Sequence, residues 1–327
     1  MNIEKFNSFE LQLEILAGCA FNCAGCHVDR DSPNKATDKM YRVAYEFLEH
    51  LDPYAVVLGS TDIFTATNTM EILNDIRLTE LIKRFDRLVV NSTMVKPDLQ
   101  VLNALDRLGM KELQINVVIP ESKNLNERYN AVIAEKVRDV KARFPNLYLH
   151  PQLNLSQSLV VDNYETLNNF YLRQYGQGVD FNLSFARTSN DPEQYRRAFN
   201  WLKSVTVTTQ ATNDGCMVDQ HVDVVSPHDK LERVIIFYEN EFYAIPIVYE
   251  DLIQIRDRYR VDGVEDYRKK YDAVILEQYA YTTKTKECGE CPFLPTCLDH
   301  RVLSIMEDYG ITECVLPKET IAKVNQW

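Results

Sequence analysis

At 327 residues and 38.0 kDa, the chain is long enough to bury a sizeable core without disulfide staples, either as one barrel-like α/β domain or as a large domain with a smaller appendage. A hydrophobic fraction of 45% and a charged fraction of 26% suit a soluble globular protein. The formal net charge of −12, with no Lys/Arg-dense run, leaves no footprint for nucleic acid. No apolar run approaches the length of a membrane span, and the N-terminal MNIEKFNSFELQLEIL lacks the pattern of a secretory signal. The cytoplasm is therefore expected, where clustered thiols are metal ligands or redox groups more often than structural disulfides.

In chain order, β-branched-rich apolar runs alternate with amphipathic stretches. Leu11–Leu16 is the first expected strand and leads into a cysteine cluster; Lys39–Leu51 is the first expected helix. Ala55–Leu58 runs into Gly59-Ser60-Thr61-Asp62, followed by a helix over Met70–Arg84. Arg87–Val90 precedes Asn-Ser-Thr at 91–93, and the next helix covers Pro97–Leu108, with Pro97 at its first position and Gly109 at its stop. Strand Leu113–Ile119, helix Asn126–Arg143, strand Leu147–Leu155, helix Tyr164–Tyr175 and strand Val179–Phe185 complete the series. The alternation predicts βαβ units and a parallel sheet whose strand C-terminal ends carry the chemistry.

The pattern changes near residue 205. Glu232–Tyr238 and Glu241–Val248, joined by Glu239-Asn240, read as a β-hairpin, and Val264–Thr282 reads as a helix feeding a second cysteine cluster. Two domains are expected, 1–205 and 206–327.

The first cluster, CAFNCAGC at 19–26, holds Cys19, Cys23 and Cys26 on the loop after the first strand. Three thiolates suit zinc, but structural zinc closes its tetrahedron with a fourth ligand, and His27 adjoins Cys26 too closely to share one metal with good geometry. A [4Fe–4S] cluster held by three cysteines leaves one iron open. In this spacing, Cys-x3-Cys-x2-Cys after the first strand of six, the chain resembles the radical S-adenosylmethionine (SAM) superfamily. The resemblance implies a partial (β/α)6 barrel whose open iron chelates the amino and carboxylate groups of SAM. One electron then cleaves SAM to a 5′-deoxyadenosyl radical that abstracts a substrate hydrogen. An electron donor of the flavodoxin or ferredoxin type is implied with it.

Two departures from the family pattern stand out. Gly25, rather than an aromatic residue, precedes the third cysteine, with Phe21 the nearest aromatic. Gly59-Ser60-Thr61-Asp62 replaces the usual Gly-Gly-Glu-Pro, so that Asp62 is the candidate acceptor for the SAM ammonium; an ordinary strand-to-helix turn is the alternative. Asn91, Ser92, Asn116, Asn154 and Ser184 lie at or near strand C-terminal ends where ribose, carboxylate or adenine would meet small polar groups. Arg187 is the candidate partner of the SAM carboxylate.

Cys288-x2-Cys291-x5-Cys297, then Cys314, supplies four thiols, enough for a closed [4Fe–4S] cluster or a tetrahedral zinc. Hairpin, helix, CGECPFLPTC and a distant final cysteine resemble the C-terminal auxiliary-cluster region called SPASM or, shortened, twitch, a small α+β domain. With no cysteine between Cys297 and Cys314 and none in the hairpin, one auxiliary cluster is expected, two [4Fe–4S] clusters in all. The second passes an electron or braces the fold. Cys216 is left over: a buried apolar residue, a relic of a lost ligand, or a hydrogen-atom donor to a substrate radical.

The resemblance implies a peptide or protein substrate, modified by crosslinking, oxidation or epimerisation. A small polar metabolite undergoing dehydrogenation, and a non-catalytic iron–sulfur or zinc protein on the same fold, are the alternatives. Because 18 residues precede Cys19, no separate leader-peptide-binding domain is expected at that end.

Overall fold

A computed structural model describes residues 8–21, 35–120, 123, 125–155, 164–176, 180–183, 233–245 and 260–270. The chain divides into two compact units, one formed by Asn7–Gln152 with Glu232–Tyr271 and the other by Met1–Phe6, Leu153–Leu231 and Asp272–Trp327. Within the first unit, strands β1 (Ser8–Leu13), β2 (Asp52–Asp62), β3 (Arg87–Ser92) and β4 (Glu112–Ile119) are joined by helices α1 (Asp38–His50), α2 (Thr69–Asn74), α3 (Ile76–Ile82) and α4 (Leu99–Arg107). Helix α5 (Glu127–Arg143) then leads to β5 (Leu147–Leu155). β1 pairs parallel with β2, β2 with β3 and β3 with β4, the ladder that crossover helices impose.

The two sheet faces differ sharply in polarity. Phe9, Leu11 and Leu13 alternate with Glu10 and Gln12 along β1, as the two-residue period of a strand requires. Register carries the division across the sheet: Glu10 stands beside Ala55 and Gln12 beside Val57, Val57 beside Val89, Val89 beside Gln114 and Asn91 beside Asn116. The opposite face is largely apolar, with Phe9, Leu11, Leu13, Leu58, Leu88, Val90 and Ile115 fully buried. Phe47 of α1 meets Phe9 on that face, ring centroids 6.3 Å apart. Polar groups on the other face converge where the strands end.

The hairpin joins this sheet. β7 (Arg233–Tyr238) and β8 (Glu241–Ile245) are antiparallel, and β7 runs parallel to β1, with Leu11 beside Ile235 and Leu13 beside Phe237; β9 (Arg260–Val261) pairs with β8. The hairpin, grouped by sequence with residues 206–327, is thus built into the same compact unit as β1. A domain boundary at 205/206 falls outside the described residues. Phe47 also touches Phe242 at 6.0 Å and Tyr267 at 5.4 Å, so α1 covers the hairpin and the short helix over 264–270 together. Glu46 Oε1 accepts the Val264 N–H at 2.9 Å, and Lys39 Nζ pairs with Glu241 Oε2 at 2.5 Å.

Local chemistry moves several expected boundaries. β1 occupies Ser8–Leu13 rather than Leu11–Leu16: the Ile15 N–H turns back to Leu13 O at 2.9 Å, leaving Ile15 and Leu16 buried but off the ladder. The helix expected over Met70–Arg84 is two helices, because Asp75 Oδ1 accepts the N–H groups of Arg77 and Leu78 and starts a new one. Asp98, not Pro97, begins α4 by capping Gln100 and Val101. Gly109 ends it at φ +63°, the left-handed stop that glycine accommodates.

In the second unit, α6 (Tyr164–Tyr175) and β6 (Asp180–Leu183) form where the alternation places them. Phe170 and Tyr171 are buried in α6, with Tyr171 stacked on Tyr175 at 5.8 Å. Among the described residues no helix is long and apolar enough to cross a membrane.

Candidate functional site

The site forms where β1, β2 and β3 end. β2 does not stop at Leu58 but continues to Asp62 with a deep irregularity: Leu58 pairs with Val90, and the next ladder pair is Asp62 with Asn91. Gly59, Ser60 and Thr61 therefore bulge out of the ladder. Gly59 sits at φ +59°, with Leu16 Cβ 3.4 Å from where a Cβ would stand, so the backbone conformation, rather than lack of space, calls for glycine.

A row of amides from neighbouring strands holds this bulge. Gln114 Nε2 donates to Asn116 Oδ1 at 2.7 Å, Asn116 Nδ2 to Asn91 Oδ1 at 3.0 Å, and Asn91 Nδ2 to Gly59 O at 2.9 Å. The aligned dipoles strengthen one another in a largely buried setting.

Asp62 closes the bulge against β3. Its Oδ2 accepts from Thr93 N at 2.6 Å, Thr93 Oγ1 at 2.9 Å and Ser92 Oγ at 3.1 Å, and its Oδ1 accepts from Phe64 N at 3.0 Å. Those four donors, three on Oδ2 and one on Oδ1, offset the cost of burying the carboxylate. The carbonyl of Asp62 also receives the N–H groups of Thr65 and Ala66, so the same residue shapes the turn that follows.

That turn reaches across to the start of the cysteine loop. Asn68 precedes α2 as its cap residue but makes no side-chain bond to that helix; instead its Oδ1 accepts the Ala17 N–H at 2.7 Å and its Nδ2 donates to Ile15 O at 2.9 Å. Thr67 donates to Ala17 O through its backbone at 2.8 Å and its hydroxyl at 3.0 Å. Gly18, at φ +71°, has Thr67 Cγ2 3.3 Å from where a Cβ would stand. Thr65 Oγ1 accepts the Ala20 N–H at 3.4 Å and lies 4.0 Å from Cys19 Sγ.

Cys19, half-buried and in no disulfide, is thereby held at the mouth of the sheet. A free thiol on a loop leaving a strand's C-terminal end has the chemistry and access of a metal-cluster ligand.

Of the residues singled out from sequence, Cys19, Phe21, Gly59, Thr61, Asp62, Asn91, Ser92 and Asn116 belong to this one compact unit. Gly59, Asp62, Asn91, Ser92 and Asn116 meet in the hydrogen-bonded network just described. Ser60 lies in the bulge and Asn154 on β5; their side chains lie outside the described residues. Cys23, Gly25, Cys26, His27, Ser184, Arg187, Cys216, Cys288, Cys291, Cys297 and Cys314 also lie outside them. Thr65, Thr67, Asn68, Thr93 and Gln114 belong to the same site although no motif in the sequence singles them out. The run Thr65-Ala-Thr-Asn-Thr69, polar and directly after the second strand, was the available signal.

No family model and no curated protein matches the chain. Among solved structures, anSMEcpe with bound AdoMet and Cp18Cys peptide matches with a TM-score of 0.55 at 10% identity, 98% of this chain covering 99% of that one. Hexahistidine-tagged anSMEcpe with bound AdoMet gives 0.53, also at 10% identity, with 96% and 97% covered. SuiB from Streptococcus suis bound to S-adenosylmethionine gives 0.40 at 14% identity, with 63% of this chain covering 49% of SuiB, so the chain spans about half of SuiB's length. At such identities the likeness is one of fold alone: a mixed α/β chain with a parallel sheet, shared with anSMEcpe.

Proposed function

We propose that the protein is a radical SAM enzyme that abstracts a hydrogen atom from a peptide or protein residue, with crosslinking, oxidation or epimerisation as the outcome. One observation carries the reading: Cys19, first of the Cys-x3-Cys-x2-Cys set, is placed by the turn after the β2 bulge at the end of a parallel sheet. Cys19, Cys23 and Cys26 would hold the SAM-binding [4Fe–4S] cluster, which when reduced supplies the electron that cleaves SAM. The fold likeness to anSMEcpe, solved with AdoMet and a peptide, supports both the cofactor and a peptide substrate.

The protein's own groups then have separate tasks. The Gly59–Thr61 bulge presents backbone to the SAM methionyl group, its path set by Asn91, Asn116 and Gln114. Asp62 Oδ1, which accepts one N–H while a carboxylate oxygen has two lone pairs, is the acceptor for the SAM ammonium. Arg187 pairs with the SAM carboxylate, and Asn154 and Ser184 contact the nucleoside. Cys288, Cys291, Cys297 and Cys314, in a region spanning 206–327, would ligate the auxiliary cluster, and where the outcome is epimerisation Cys216 would return a hydrogen atom to the substrate radical.

One observation favours a second reading. The four donors around Asp62 make it a structural clamp, the role it would keep in a non-catalytic protein on this fold. The deciding experiment is 5′-deoxyadenosine formation from SAM by anaerobically reconstituted, dithionite-reduced protein. Production that is absent from the triple variant Cys19→Ala, Cys23→Ala, Cys26→Ala is the expected result. A filled cluster with neither SAM binding nor 5′-deoxyadenosine, with or without peptide, would leave the non-catalytic reading in its place.

A further inference from the structure

We infer that Thr65 is a positioning residue for the cluster, its hydroxyl donating to the Cys19 thiolate and so raising the cluster's reduction potential. This rests on the reading of Cys19, Cys23 and Cys26 as cluster ligands.

The direction of the hydrogen bond follows from its surroundings. Thr65 Oγ1 accepts the Ala20 N–H at 3.4 Å and faces Cys19 Sγ at 4.0 Å. A hydroxyl has one proton and two lone pairs. With a lone pair directed at Ala20, the proton remains for sulfur, and a metal-bound thiolate only accepts. At 4.0 Å the contact is long for a neutral thiol. Ionisation of the sulfur on ligation makes the bond charge-assisted and therefore shorter and stronger.

Both partners are held by bonds other than the one between them. On one side, the Thr65 N–H donates to Asp62 O at 3.1 Å, and Asp62 is clamped to Ser92 and Thr93 of the β3 end. On the other, Asn68 and Thr67 fix Ala17, and Gly18 turns the chain at φ +71° to deliver Cys19. The hydroxyl is thus carried by a braced turn rather than by a mobile side chain on a free loop. Hydrogen bonds to cluster sulfurs favour the reduced, more negative state and are one of the protein's means of setting potential. A threonine here therefore makes the cluster easier to reduce.

The test is a redox titration of the reconstituted full chain followed by electron paramagnetic resonance, tracking the signal that the Cys19→Ala, Cys23→Ala, Cys26→Ala variant lacks. Thr65→Val keeps the branched shape and removes the hydroxyl; Thr65→Ser keeps the hydroxyl and removes the methyl. The expected result is a midpoint potential shifted to more negative values in Thr65→Val and returned to the native value in Thr65→Ser, with equal iron content. An unshifted Thr65→Val potential at equal iron content overturns the inference alone, as does a Thr65→Ser potential displaced as far as that of Thr65→Val. Absence of any such signal in the native protein instead overturns the reading of the three cysteines, and this inference with it.

Discussion

Asn68 accepts the N–H of Ala17 at 2.7 Å and donates to the carbonyl of Ile15 at 2.9 Å, so one side chain stands in for a strand beside the last residues before Cys19. Backbone that leaves a ladder must find partners elsewhere, and here one amide side chain, 51 positions from Ala17 and 53 from Ile15, supplies both.

Replacing Asn68 by Ala strands one donor and one acceptor in a partly buried setting, a loss of about 1–3 kcal/mol. Asn68→Asp keeps the acceptor for Ala17 but sets a carboxylate oxygen against the Ile15 carbonyl, so it does not rescue. Urea denaturation midpoints should fall for both variants. Iron incorporation on reconstitution should fall in parallel, because the loop that delivers Cys19 loses its brace. An Asn68→Asp variant as stable as the native protein would mean that the Ile15 contact contributes nothing.

Asp62 offers a way to separate clamp from ligand. Thr93→Val removes one hydroxyl donor to Oδ2, whereas Asp62→Asn removes the charge from both the clamp and the candidate ammonium site. Hydrogen bonds to a charged group are each worth about 1.5–3 kcal/mol, so both variants should lose stability, Asp62→Asn more. SAM affinity, measured by equilibrium binding to the reconstituted protein, should drop at least tenfold for Asp62→Asn and stay near native for Thr93→Val. Equal effects of the two on affinity would leave Asp62 a clamp alone.

How much of this was legible beforehand depended on range. The periodic segments were readable: β5 and α6 occupy the expected spans, because alternation and helical spacing are properties of adjacent residues. Ile15 and Leu16 look like strand and are buried like strand, yet the chain turns off the ladder at Leu13. The single helix expected over 70–84 missed a local competitor, since Asp75 caps a new helix better than it continues an old one. The parallel pairing of β7 with β1 joins Leu11 to Ile235, and nothing in either segment encodes the partner. For Thr65 and Asn68 the polar run after the second strand marks the segment but not the role, because their chemistry depends on a loop some 50 residues earlier.

Tyr41 ties α1 to α3 through its hydroxyl, which donates to Asp75 Oδ2 at 2.6 Å, with the Arg77 guanidinium 4.1 Å over its ring. Burial, then the Asp75 carboxylate, pushes the Tyr41 phenol well above the ordinary tyrosine value of 10.0. Burial alone would raise Asp75, but the Tyr41 hydroxyl and the N–H groups of Leu78 and Arg77 outweigh it and hold this carboxyl below its ordinary 3.8. The signs oppose each other. Raised Tyr41 stabilises fully below pH 10 and loses that contribution as pH climbs toward its folded value; lowered Asp75 stabilises above pH 4 and loses its contribution as pH falls further. Tyr41→Phe should therefore be less stable than native at pH 7 by roughly 1 kcal/mol. The gap should narrow above pH 10 and below pH 4 in thermal denaturation. A gap constant from pH 7 to 12 would contradict the assignment.

Gly263 tests whether the short helix over 264–270 is docked on α1 by its cap. A Cβ at this position would stand 2.6 Å from Glu46 Oε1, the oxygen that accepts the Val264 N–H. That oxygen is the end of a flexible side chain, so Gly263→Ala should displace the carboxylate rather than the backbone. The cost is then that of a lost helix cap, about 1 kcal/mol. Glu46→Ala removes the same cap by another route. If the carboxylate is the only casualty, the double variant Gly263→Ala, Glu46→Ala should be no less stable than the weaker single one, a coupling read directly from a double-mutant cycle. Additive losses would mean that Gly263 is required for the backbone itself, and that the packing of Tyr267 on Phe47 at 5.4 Å, rather than the cap, holds this helix to α1.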